Sequence, residues 1–241
     1  MTSGRRGAAS AGTPVPVLRI GVTGHRRPPK LPTSSLGPVR AAVGRVLDQI
    51  FELGHAARPA RRGRTARPGF RVAIVSLLAE GSDQIVAEEG LARGGTVDAV
   101  LPFPPEEYAK DFVADGTRRR FDSLLEQARS TVVLDFPRES ETEAYEAAGY
   151  AMLARIDLLI AVWDEEEAGG RGGTANVVER AVEQAIPVVL INPTAPDSVT
   201  LRWAGFEPAP DAPRRFADLE PRDPSACFEA VVSARVAPQG R

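Results

Sequence analysis

Apolar and polar positions along the 241-residue chain change period in a regular way. Continuous apolar runs, each about the length of a strand, occur at 17–23, 72–77, 97–101, 131–135, 157–163 and 187–191. None alternates apolar with polar, so each reads as a strand covered on both faces. Helix-spaced segments separate them. Residues 35–53 set Leu36, Val39, Val43, Val46, Leu47, Ile50 and Leu53 on one face. Further helices are expected at 82–93, with Ser82 as N-cap, near 105–113, at 117–129, at 141–155 and from the glycine-rich stretch 169–173 to about 185. Strand and helix alternate throughout, which predicts a single α/β domain over 17–192 with a doubly wound, mostly parallel sheet.

Both flanks break the pattern. Residues 1–16 are expected to form a disordered tail, and 56–69 a flexible basic loop. Residues 193–241 are rich in proline and read as an extension, wrapping or loose, with a short helix near 224–235.

Composition narrows the functional classes. With 43% hydrophobic and 26% charged residues, the chain is that of a soluble globular protein. A net charge of -2 gives no general attraction to nucleic acid or membranes, so nucleic acid is not the expected partner. Cys227 is the sole cysteine, which removes disulfides and cysteine metal clusters. No apolar run approaches ~18 residues, and the amino terminus lacks an apolar core, so a cytoplasmic protein is expected. Lys30 and Lys110 are the only lysines. Arginine in their place reflects either a GC-rich genome or phosphate recognition by its planar donor fork.

In an open parallel sheet, ligands bind beyond the carboxyl ends of the strands, near a topological switch point. Four loops leave those ends with suitable residues. The first carries Thr23, Gly24, His25, Arg26 and Arg27. Thr23 and the amides after it could hold a phosphate, Arg26 could neutralise it, and His25 could bond a base or ribose; the bland alternative is a solvated basic turn. The second carries Glu80, Gly81, Ser82 and Asp83. Asp83 either complements a helix dipole or accepts ribose hydroxyls. In the third, Phe103 and Tyr108 either begin a helix or wall a base pocket.

The fourth runs from Asp164 to Thr174 and includes Gly169, Gly170, Gly172 and Gly173. Four glycines in five positions, feeding a helix, would bare backbone amides at a positive dipole end, where a phosphate fits. Thr174 could cap that helix and donate to the phosphate; a flexible loop with a threonine cap is the alternative. The acidic run Asp164–Glu167 is either solvated or a seat for Mg with a pyrophosphate ligand; apart from that, no cofactor or metal is expected. The spacing of Gly21 and Gly24 is not the dinucleotide fingerprint, and neither a P-loop, a nucleophile elbow nor an HExxH motif occurs.

Taken together, GVTGHR (21–26), LAEGSDQIVAEEG (78–90), LPFPPEEY (101–108) and DLLIAVWDEEEAGGRGGTANVVERA (157–181) resemble the SLOG superfamily. Its Rossmann-like domains are related to the Lonely Guy cytokinin-activating enzymes, the DNA-processing protein DprA and the ligand-sensing domains of melastatin-type channels and bacterial defence proteins. The resemblance spans about 17–192. It implies a Rossmann-like fold and a nucleotide-derived ligand at the carboxyl edge of the sheet. Gly170, Gly172, Gly173 and Thr174 would form the phosphate loop, Thr23, Gly24, His25 and Arg26 the first glycine loop, and Gly81 and Asp83 the second-strand loop. It also implies that two copies could pair.

The Lonely Guy hydrolases carry PGGxGTxxE and a basic pair ahead of a methionine. Here Val177 stands where the glutamate would be, with Glu179 two residues later, and Ala147–Ala151 precede Met152 without a basic residue. The expected function is therefore nucleotide binding of a sensor type. The alternatives are an N-glycosidic hydrolase, with Glu80, Asp83 or Glu179 as the acid, and a non-catalytic interaction scaffold.

Overall fold

A computed structural model describes residues 15–26, 28–55, 69–112, 114–166, 173–206 and 215–236. The six apolar runs form β1 (Val17–Gly24), β2 (Arg71–Ser76), β3 (Thr96–Leu101), β4 (Ser130–Val133), β5 (Leu158–Val162) and β6 (Val188–Ile191), each parallel to its neighbours among these six. A further strand, β7 (Thr200–Arg202), runs antiparallel to β6. The strand order is β4-β3-β2-β1-β5-β6-β7. The chain steps outward from β1 to β4, then returns to set β5 on the other side of β1. This reversal puts the topological switch point between β1 and β5, where Gly24 lies opposite Val162.

The helices are α1 (Thr33–His55), α2 (Ser82–Ala92), α3 (Pro105–Tyr108), α4 (Asp115–Glu126), α5 (Glu141–Leu153), α6 (Thr174–Glu183) and α7 (Pro224–Val236). They cover the two faces of the sheet with two separate apolar clusters. One joins Val43, Leu47 and Ile50 of α1 to Ile20, Ile74 and Ile160 of the strands. The other joins Met152 of α5 and Val178 and Ala181 of α6 to Val75, Leu159 and Ala161. Adjacent strand residues, such as Ile74 and Val75, thus enter opposite cores. That is why the runs are continuously apolar. The Rossmann-like α/β arrangement implied by the sequence is the fold of this chain.

Local differences have local causes. Helix α3 is a single turn that starts at Pro105 and passes into a 3-10 turn at Ala109–Asp111. Helix α2 is preceded by Gly81, and Ser82 does not cap it. Its hydroxyl instead donates to the His25 carbonyl at 2.7 Å, because the β1 turn packs directly onto the start of α2. Residues beyond 192 add β7, a 3-10 turn at Phe216–Asp218 and α7 to the same body. Phe228, Val231 and Val232 of α7 belong to the core shared with α1. The 1–14 part of the expected tail and 56–68 of the basic loop lie outside the described residues.

Candidate ligand cleft at the switch point

At the carboxyl edge of the sheet, beside the switch point, lies a cleft of about 420 Å³. Thr23, Gly24, His25 and Arg26 line it from the β1 turn, and Asp83 from α2. Helix α5 contributes Glu141, Thr142, Tyr145, Gly149 and Met152, and α6 contributes Gly173, Thr174 and Val177. Residues 145, 149 and 152 share one face of α5 by their spacing. This volume is within the range of small-molecule sites.

The β1 turn is held firmly. The His25 amide continues the ladder by donating to the Val162 carbonyl at 3.0 Å. Its Nε2 lies 2.8 Å from the Asp164 carboxylate, across the switch point. The histidine expected to bond a base or ribose therefore already ties the ends of β1 and β5 together through that nitrogen. Burial opposes charge on Asp164, but bonds from His25 and the Glu166 amide win, holding its carboxyl below the usual range.

Two expected ligand glycines serve packing. A Cβ on Gly24 would lie 2.7 Å from both the Ser82 hydroxyl and the Val162 carbonyl oxygen. Gly81 adopts φ +89°, and a Cβ there would sit 2.4 Å from the Arg26 carbonyl oxygen. Gly24 also lines the cleft, whereas Gly81 supports the turn from behind.

Asp83 lines the cleft and is only 6% exposed. Ser76 Oγ donates to its Oδ2 at 3.1 Å. Burial pushes its carboxyl up to about 6, against the opposing effects of Arg26 and the Ser76 hydrogen bond. Arg26 donates from Nη1 to the Tyr145 hydroxyl at 3.2 Å, and its guanidinium carbon lies 4.3 Å from the centre of the Tyr145 ring. Tyr145 in turn donates to Asp111, which pairs with Arg138, itself stacked on Phe103 at 4.6 Å. Burial, the largest effect, pushes the Tyr145 phenol up to about 12.

Phe103 and Tyr108, considered as walls of a base pocket, are fully buried and absent from the lining. The aromatic residue that does line it is Tyr145, which the sequence reading missed. The available signal was its shared helix face with Gly149 and Met152.

Helix α6 begins at Thr174 after Gly173, and its first intrahelical bond runs from the Val177 amide to the Gly173 carbonyl. The amides of Thr174, Ala175 and Asn176 thus have no acceptor within the helix. Thr174 occupies the first turn rather than the cap and is 9% exposed. Gly170 and Gly172 lie outside the described residues.

Of the acids considered for catalysis, Asp83 alone lines the cleft. Glu179 accepts the Phe216 amide at 3.0 Å, so its carboxylate anchors the C-terminal segment. Glu80 lies outside the cleft, in a small recess with Arg26 and Tyr108. In the acidic loop, Asp164 and Glu166 lie 4.0 and 3.7 Å from Lys30, and Glu165 lies 3.0 Å from Arg202. Each of these three carboxylates thus has a basic partner, and among the described residues no group of three or more His, Cys, Asp or Glu could hold a metal ion. Glu167 lies outside the described residues. Among the described residues no helix is long and apolar enough to cross a membrane.

No family model matches the chain, and no curated protein does. Solved structures similar to it include DNA processing protein A (DprA) from Streptococcus pneumoniae. That pair shares 17% identity and a TM-score of 0.46 over 72% of this chain and 50% of the other. DprA from Helicobacter pylori, described for its single-stranded DNA binding mode, gives 17%, 0.44, and 72% and 64% coverage. TM1055, a structural-genomics target, gives 15%, 0.40, and 71% and 72%. The chain thus spans 50% and 64% of the two DprA chains. At these identities the likeness is one of fold.

Proposed function

We propose that the cleft binds a nucleotide or a nucleotide derivative without turning it over, with a ligand phosphate at the amino end of α6 beside the Thr23–Gly24 turn. The observation that carries this reading is the meeting of three features in one cleft: the start of α6, the β1 turn and the Arg26 guanidinium. Amides without an acceptor in the helix and the positive end of its dipole favour an anion there. Thr174 supplies a hydroxyl, and Arg26 a charge. Asp83, mostly ionised at neutral pH, can accept ribose hydroxyls within the cleft. Glu179, the acid nearest in sequence to the hydrolases' glutamate, is bonded to Phe216 instead, which supports binding over hydrolysis.

A second reading rests on Asp83. A buried carboxyl near pKa 6, lining a cleft, suits general acid or base work, here on an N-glycosidic bond. One experiment separates the two. Thermal unfolding of the protein is followed against nucleoside mono- and diphosphates, dinucleotides, ADP-ribose, its cyclic forms and a short single-stranded oligonucleotide, with chromatography of each mixture afterwards. Binding raises the melting temperature by mass action. A rise with intact ligand supports the first reading, and release of free base replaces it with the second. No rise with any mono- or dinucleotide, ADP-ribose or cyclic form overturns nucleotide binding. A rise with the oligonucleotide alone redirects the site to single-stranded DNA.

A further inference from the structure

Resting on the phosphate reading above, a second contact can be assigned on the α5 side of the same cleft. Arg26 is not a loose surface charge. Its guanidinium is held over the Tyr145 ring at 4.3 Å, with Nη1 on the Tyr145 hydroxyl at 3.2 Å. Tyr145 is fixed from behind by its bond to Asp111 and by edge contact with Phe103, whose ring centre lies 5.9 Å away at 88°. A guanidinium held over a ring that is itself fixed loses little freedom when a second planar group is laid on it. Both residues line the cleft, as does Thr174. Alongside polar groups such as Glu141 and Thr142, the lining carries the apolar side chains of Val22, Leu77 and Met152. A phosphate makes no use of these apolar side chains, whereas a heterocycle can pack on them.

We propose that the Arg26–Tyr145 stack is the platform for the ligand's base, so that the cleft selects an aromatic nucleotide over a bare sugar phosphate. Arg26 then serves as a base contact first and a phosphate counter-charge second. Asp83, beside the platform, lies within the same cleft to take the sugar hydroxyls between base and phosphate.

The test compares AMP with ribose 5-phosphate, by titration calorimetry on the full chain. The native protein should bind AMP at least about tenfold more tightly, the scale of base stacking on one platform. Tyr145→Leu should weaken AMP about tenfold while leaving ribose 5-phosphate within about threefold. Tyr145→Phe, which keeps the ring, should retain the preference for AMP. A role confined to holding the fold would shift both ligands together and leave their ratio unchanged. Equal affinities for the two ligands in the native protein, or a parallel loss in Tyr145→Leu, overturn the platform and leave the phosphate reading standing. Absence of binding by either ligand overturns both. The phosphate reading fails separately if Thr174→Val leaves affinity for ribose 5-phosphate unchanged.

Discussion

At residue scale, the β1 turn depends on space that glycine leaves empty. At Gly81 a side chain would meet two penalties: φ of +89° and a carbonyl oxygen 2.4 Å from its Cβ. Gly94 has φ +80° and nothing within 4 Å of a Cβ, so it isolates the first penalty. Gly81→Ala should therefore cost at least about 2 kcal/mol and Gly94→Ala about 1 kcal/mol in urea unfolding. Equal costs would show that the turn can shift.

Asp83 gives a prediction of definite sign. Burial raises its folded carboxyl to about 6, above the ordinary aspartate range. Its contribution to stability is fully present below about pH 4 and is lost as pH rises through 6, on the order of 3 kcal/mol at most. Asp164 runs the opposite way, its contribution present above the usual carboxylate range and lost in acid. The melting temperature of Asp83→Asn minus that of the native protein should thus increase between pH 4 and 7. A flat difference would place Asp83 in water. The residue types in these loops were legible in the sequence. Their partners were not, because His25 meets Asp164 across 139 positions of chain.

Elements were legible to different degrees for a physical reason. Strands buried on both faces announce themselves as apolar runs, and α1 shows a long amphipathic face. Strand β7 is three residues long, too short to show a period. Ser82 looked like a cap because nothing in the sequence reveals that the His25 carbonyl competes for its hydroxyl. Between helices, Glu88 of α2 receives Arg40 of α1 and Arg120 of α4. Burial opposes its charge, yet the two arginines hold its carboxyl below the usual value. Glu88→Gln should cost about 1–2 kcal/mol at pH 7, between exposed and buried pairs, and the cost should vanish in acid where the native carboxylate is also protonated. Denaturant melts at both pH values check this; a cost that is the same at each would assign it to packing.

At the scale of the whole molecule, the segment after 192 is part of the body that carries the cleft. Helix α7 supplies Phe228, which is 1% exposed, to the core shared with α1 and the sheet. Phe228→Ala should cost about 3–5 kcal/mol, read as a fall in the denaturant midpoint. A cost under 1 kcal/mol would mean that α7 docks only loosely. The short helix expected near 224–235 is α7, whereas composition left the proline-rich stretch before it open between wrapping and loose, because its few apolar residues find their partners only against the sheet.

The parallel order with a reversal at β1 sets the cleft beside the switch point, and the proposal that a ligand binds there is the central claim. Its most direct test is amide chemical-shift mapping of the full chain with AMP. The account predicts that the largest changes fall at Gly24, His25, Arg26, Tyr145, Gly173 and Thr174, around the cleft. Changes gathered instead at Arg19, Arg129 and Arg155, which line a groove at the opposite edge of the sheet, would contradict it, as would no change at all.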